Sequence, residues 1–179
     1  MEAFGHASAG LVLAQLLRPV GDGQPRFWAL VGVAGALAPD IDAITWLIGG
    51  PALFRAHHQI YTHNLFISAV VPPLLGALAH RRAPVGASRS RVVALVCAAW
   101  GSHLLGDTIA SWPLKLLWPL SDRGVALGLL DQDFSLVLPA ILGFGAALSF
   151  VDGVGAHRRW VAGGTLGAAL IYLAFGPGW

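Results

Sequence analysis

Residues 91–110 read RVVALVCAAWGSHLLGDTIA. At about 1.5 Å per residue, a run of this length matches the roughly 30 Å hydrocarbon layer of a bilayer. From Val92 to Leu105 nothing carries a fixed charge, yet the run contains His103 and then Asp107. These two are four apart, so on a helix they share one face. A charge at bilayer depth costs about 2.5–3.5 kcal/mol on insertion scales, which is why such residues normally mark a site. A pair at one helical turn can hold a metal ion. It can equally be a His–Asp hydrogen bond between helices, and the pair alone does not decide.

The rest of the chain resembles this stretch. Of 179 residues, 56% are hydrophobic and 11% charged, and the mean hydropathy is +0.68. Soluble domains carry about 25% charged residues. The expectation is an all-α, polytopic transmembrane helical bundle forming a single integral membrane domain over 1–179, with no room for a separate soluble domain. The 23 glycines and 7 tryptophans fit, since small residues let membrane helices approach closely and Trp favours the interface. Cys97 stands alone in an apolar run and reads as a small hydrophobe. A net charge of +2 with arginines gathered in short loops is an orientation signal and gives no reason to expect nucleic acid. The start, Met1 to His6, lacks the basic region of a cleavable signal.

Six apolar segments can be drawn, at 3–17, 27–48, 64–80, 91–110, 134–151 and 159–176. About six spanning helices are therefore expected. Residues 111–133 hold two Trp-Pro pairs, Trp112-Pro113 and Trp118-Pro119, which argue for an interfacial or re-entrant segment over a straight helix. Arg18, Arg26, Arg81, Arg82, Arg89, Arg91, Arg158 and Arg159 fall in one set of alternate loops, and only Arg55, Lys115 and Arg123 in the other. Eight against three favours the first set as cytoplasmic. Both termini then face outward. So do His6, Asp40, Asp42, His58, His63, His103 and Asp107, all toward the same end.

Three further pieces join His103 and Asp107. His6 lies in the opening segment and is a weak signal by itself. Pro39-Asp40-Ile41-Asp42 places two carboxylates in an apolar setting. Two apart, they diverge on a regular helix, but Pro39 weakens the helix and lets the backbone turn both inward. One can ligate a metal while the other bridges or orients a histidine from behind; the plainer reading is a helix cap. His57-His58-Gln59-Ile60-Tyr61-Thr62-His63-Asn64 holds three histidines just before an apolar helix that Thr62 or Asn64 could cap. The plainer reading there is an exposed polar loop. His80 and His157 border arginine loops and read as solvated; Asp131 and Asp133 read as solvated acids at a helix start.

His6, Leu37-Ala38-Pro39-Asp40-Ile41-Asp42, His58-Gln59-Ile60-Tyr61-Thr62-His63-Asn64, and Ser102-His103-Leu104-Leu105-Gly106-Asp107 followed by Leu117-Trp118-Pro119-Leu120-Ser121 occur in that order. This set resembles the YdjM-like family of inner-membrane-associated metal-dependent hydrolases, over about residues 3–135. The chain departs from the family at Gln59, where Arg is usual, and at Asn64, where Ser is usual. Gln59 removes a cation that could have held a phosphate or carboxylate. The order of His and Asp ligands is also loosely similar to that of zinc-dependent phospholipases C.

Together the residues and the resemblance imply a metal-dependent hydrolase, in the inner membrane with its site toward the outer face, acting on a lipid or lipid-like (phospho)ester. The expected metal ligands are His6, Asp40, Asp42, His58, His63, His103 and Asp107. They would hold one or two divalent ions, with Zn2+ the first choice and Mn2+ or Mg2+ also suited. A bound metal lowers the pKa of its water to about 7, and Asp40, Asp42 or Asp107 would bridge metals or serve as general base. Trp112 and Trp118 would form a lid. There is no Gly-x-Ser-x-Gly elbow and no phosphate-cradling Gly-rich loop ending in Lys-Ser or Lys-Thr. The alternative is an ion or small-solute transporter using the same intramembrane His and Asp residues. A third possibility is a structural protein whose polar groups only tie helices together.

Overall fold

The computed structural model describes residues 3–110, 113–129, 137–148 and 157–175. Seven α-helices follow in order: α1 (Ala3–Leu17), α2 (Pro25–Leu37), α3 (Ile44–His57), α4 (Leu65–His80), α5 (Arg89–Ile109), α6 (Val137–Leu148) and α7 (Arg158–Phe175). A 3₁₀ turn, Ala38–Ala43, joins α2 to α3. Among the described residues the fold is all-helical apart from one isolated antiparallel bridge, Leu114 to Val125.

The apolar runs became helices because each is bounded by residues that stop one. Pro25 sits at the start of α2, where its missing N–H costs nothing. The Asn64 side chain accepts from the Ile67 N–H and caps α4. The Ser88 side chain accepts from the Arg91 N–H and caps α5. α1 is the hub, in contact with α2, α5, α6 and α7, while α4 packs along α5. Glycine permits the closest approaches. A methyl group on Gly10 or on Gly32 would collide with the other's carbonyl, and one on Gly76 of α4 would meet the Val93 backbone of α5 at 2.6 Å. The Trp100 indole donates to the Ser68 hydroxyl at 2.9 Å and ties α5 to α4.

One expectation changes and a second is met in part. The second apolar segment, 27–48, is not one helix. α2 ends at Leu37, and the chain tightens into the 3₁₀ turn with Pro39 at its beginning. A proline ring clashes with the carbonyl of the preceding turn and has no N–H to give, which favours a break in the α-helix here, although α4 accommodates Pro72 and Pro73. α3 then continues to His57, with non-helical backbone at Gly49 and Gly50 ahead of Pro51. The six spans are met only in part: among the described residues, two helical stretches are long and apolar enough to cross a membrane, Pro25–His57 and Arg89–Ile109, while Ala3–Leu17, Leu65–His80 and Val137–Leu148 are apolar but shorter.

Of the 111–133 segment, residues 113–129 form a strap. Leu127, Gly128 and Leu129 donate to the carbonyls of Thr108, Ala110 and Ile109, satisfying groups that the end of α5 leaves open. Leu65 donates to the Leu116 carbonyl, so the strap also holds the start of α4. Trp112, Asp131 and Asp133 lie outside the described residues.

Candidate metal centre

The seven expected ligands come from four separate pieces of chain, all at the same end of the bundle. His6 is near the start of α1, Asp40 and Asp42 are on the 3₁₀ turn after α2, His58 and His63 are in the loop before α4, and His103 and Asp107 are near the end of α5. The arginine loops after α1 and after α4 lie at the other end of those helices. The 3₁₀ turn resolves the Asp-x-Asp problem. With about three residues per turn instead of 3.6, its backbone lets both carboxylates reach the cluster.

Four side-chain atoms converge. His63 Nε2 lies 3.0 Å from His103 Nε2, 3.6 Å from Asp40 Oδ1 and 3.5 Å from Asp107 Oδ2. His103 Nε2 lies 3.4 Å from Asp40 Oδ1 and 3.3 Å from Asp107 Oδ2. A tetrahedron with metal–ligand bonds of about 2.0–2.1 Å has edges of about 3.3–3.4 Å, so the separations of the two rings from each other and from each carboxylate are of the size that ligands of one small cation require.

The far nitrogens fix which ring atom faces inward. His103 Nδ1 sits 2.6 Å from the Ala36 carbonyl oxygen. A carbonyl only accepts, so Nδ1 carries the proton and a neutral His103 presents a lone pair at Nε2. His63 Nδ1 lies 2.9 Å from the Thr62 hydroxyl, which itself donates to Asp42 Oδ2 at 3.0 Å. The Thr62 oxygen therefore accepts from His63 Nδ1, and the His63 Nε2 lone pair also points inward.

Asp42 stands behind this ring. It accepts from the Gln59 N–H at 3.0 Å and pairs with His58 Nδ1 at 2.9 Å, while His63 Nδ1 is 3.6 Å away. His58 is stacked on Phe54, with ring centroids 4.3 Å apart. Burial alone would push the His63 pKa down. The hydrogen bonds to the Asp40 and Asp42 carboxylates outweigh it and leave His63 above its ordinary value.

His6 is buried, stacked on His103 with centroids 3.6 Å apart, and holds Asp107 Oδ1 through Nε2 at 3.0 Å. Its Nδ1 is buried with no hydrogen-bond partner. Among the described residues, three groups of side chains lie close enough to hold a metal ion: His63 with His103 and Asp107, His6 with Asp40 and His103, and Asp40 with Asp42 and His58. Every expected ligand belongs to at least one. His80 and His157 belong to none.

Three contributors were not legible beforehand. Gln59 reaches Asp107 Oδ2 with its side-chain amide at 3.3 Å and adopts a left-handed backbone, φ 65°. Thr62, foreseen only as a cap, orients His63. The Ala36 carbonyl orients His103. In the sequence Gln59 stands out only as the absence of a family Arg, and Thr62 only as a possible cap beside His63. Tyr61 meets Trp118 edge-on at 5.0 Å, which puts the strap against the histidine loop.

Apolar helices bundled around a buried cluster of His and Asp side chains that could hold a metal ion fit a class of helical membrane proteins. Comparison with known families then identifies it. The family model described as YdjM inner membrane protein matches residues 1–177, and the chain belongs to that family. No curated protein and no solved structure matches it.

Proposed function

We propose that the protein is a membrane-embedded metal-dependent hydrolase that acts on a lipid or lipid-like (phospho)ester. The observation that carries this reading is the convergence of two imidazole lone pairs and two carboxylates at ligand-to-ligand distances of 3.0–3.6 Å. His63, His103, Asp40 and Asp107 would hold the ion, with His6 beside them and Asp42 and His58 behind. Imidazole with carboxylate suits Zn2+ first, and Mn2+ or Mg2+ as well. A divalent ion in this seat supplies Lewis acidity and makes water acidic near neutral pH.

The chain's own groups divide the remaining work. The Asp40 side chain is 27% exposed, whereas those of His63, His103 and Asp107 are 0–3% exposed. Asp40 is therefore the carboxylate that meets incoming water and can take its proton. Asp42 is occupied by His58, Gln59 and Thr62, so its part is to aim His63. Asp107 is held by His6 and Gln59.

The cluster lies at the helix ends. His103 is six residues from the last residue of α5, about 9 Å along the axis. Transporter sites sit near the midplane, so this depth speaks for chemistry on a headgroup-level bond. With the arginine loops in the cytoplasm, the site faces the outer leaflet. Tyr61 and Trp118 stand where a substrate arriving from the interface would pass.

The test is elemental analysis of the detergent-purified protein beside His103→Ala and Asp40→Ala, then a screen of phosphoesters and lipids. Stoichiometric metal in the wild type, lost in both variants, with turnover of an ester, supports the reading. Full metal in both variants, or bound metal with no hydrolysis of any ester, overturns it.

A further inference from the structure

The opposite end of the bundle carries a second feature that owes nothing to the His/Asp cluster. Helices α4 and α5 touch most tightly at Gly76 and Val93. Beside that contact a groove of about 360 Å³ is lined by Leu74, Ala77, Leu78, His80 and Arg81 at the end of α4 and by Arg89 at the start of α5. Its floor is apolar and its mouth is basic. Leu74 and Leu78 remain largely exposed along it, so the apolar floor is not covered by any described part of the chain.

The charge at the mouth is unbalanced. No Asp or Glu occurs between Leu65 and Gly106, whereas Arg81, Arg82, Arg89 and Arg91 all do. Among the described residues none of these four arginines has a carboxylate partner. The acid nearest in chain order on this side, Asp22, is bound by the Trp28 indole at 2.7 Å and the Gln24 N–H at 2.7 Å. The loop tip beside the groove is Val85, which is fully exposed. An apolar side chain projecting from a basic loop suits a loop lying against lipid, not one standing in water.

We infer that this groove binds an anionic phospholipid from the cytoplasmic leaflet, its phosphate between Arg81 and Arg89 and an acyl chain along Leu74 and Leu78. The occupant must be both acidic and apolar. A zwitterionic lipid brings its own cation to the unpaired guanidiniums, and a free phosphate leaves the leucines uncovered. Guanidinium forks match phosphate oxygens bidentately. Along α4, Leu74 stands about 13 Å and Arg81 about 24 Å from Leu65, which follows the histidine loop, so a phosphate held at Arg81 and Arg89 lies far from the His/Asp cluster.

The experiment is native mass spectrometry of the full chain in detergent, supplied with phosphatidylglycerol or phosphatidylcholine, with bound lipid counted after detergent exchange. Phosphatidylglycerol is expected to stay and phosphatidylcholine to wash away. The double variant Arg81→Gln with Arg89→Gln should lower phosphatidylglycerol occupancy about tenfold or more. Arg81→Lys with Arg89→Lys should keep part of it, and Arg123→Gln, at the other end, should change nothing. Inorganic phosphate at millimolar concentration should not displace the lipid. Equal retention of both lipids, full retention in the double Gln variant, or displacement by inorganic phosphate alone would overturn the proposal. Should the double Gln variant fail to fold, Arg89→Gln alone decides between the same outcomes.

Discussion

His63 Nε2 and His103 Nε2 face each other across 3.0 Å, and each ring's other nitrogen is turned to an acceptor, Thr62 or the Ala36 carbonyl. Two lone pairs aimed at each other at that distance repel unless a proton or a cation lies between them. On the proposed reading a divalent ion fills this place and is shared with Asp40 and Asp107. His63→Ala and His103→Ala should each abolish stoichiometric metal, measured by elemental analysis. His80→Ala and His157→Ala, which lie outside all three groups, should leave it intact.

Asp42 gives a graded prediction. It touches His63 only at the far nitrogen, 3.6 Å away, and arranges His58, Gln59 and Thr62 around itself. Removing a partner of this kind lowers metal affinity by about 10–100-fold without destroying the site. Asp42→Asn should therefore bind metal measurably more weakly than wild type but far better than Asp40→Ala. Competitive chelator titration separates the three. Equal loss in Asp42→Asn and Asp40→Ala would make Asp42 a direct ligand.

The pH dependence should reverse sign with metal. His63 has an ordinary value of 6.5 and is raised in the folded protein. In the metal-free protein its stabilisation is complete below that ordinary value and fades as pH rises through the folded value. A metal competes with that proton, so the loaded protein gains where the free protein loses. Thermal midpoints in detergent should fall from pH 6 toward pH 9 with chelator present and rise over the same interval with a divalent ion. Parallel trends in the two samples would show that His63 does not exchange a proton for metal.

The helices were legible because long apolar runs are costly to place anywhere but a membrane or a core, and Pro, Gly, Ser and Arg mark their ends. α1, α4, α5, α6 and α7 fall on expected segments. The break at Ala38–Ala43 was legible only as Pro39's weakening effect, since nothing in the Ala-Pro-Asp-Ile-Asp-Ala string distinguishes a 3₁₀ turn from a kink. At Gly49-Gly50-Pro51, just beyond the end of the second expected segment, the backbone leaves helical geometry, and the helical stretch that follows to His57 was not expected. The charged members of the cluster announced themselves by their cost in apolar surroundings. Gln59, Thr62 and the Ala36 carbonyl did not. Neutral and backbone groups carry no such cost, and their roles depend on a fold that brings residues 36, 59, 62 and 103 together.

Gly10 and Gly32 set the distance from which His6 reaches the centre. Either α-carbon carries no side chain because the facing helix's carbonyl occupies the space, and Ala36 and Ala14 close the remaining gap. Gly10→Ala would push α1 away from α2, and overpacking of this kind costs about 1–3 kcal/mol. His6 lies one helical turn from Gly10 on the same face, so its hold on Asp107 Oδ1 would loosen with the shift. The variant should show both a lower thermal midpoint in detergent and weaker metal retention, whereas Gly101→Ala, with open space around it, should show neither. If Gly10→Ala lowers the midpoint but binds metal as tightly as wild type, α1 supports the bundle without contributing to the cation seat, and His6 is then a packing residue rather than part of the metal centre.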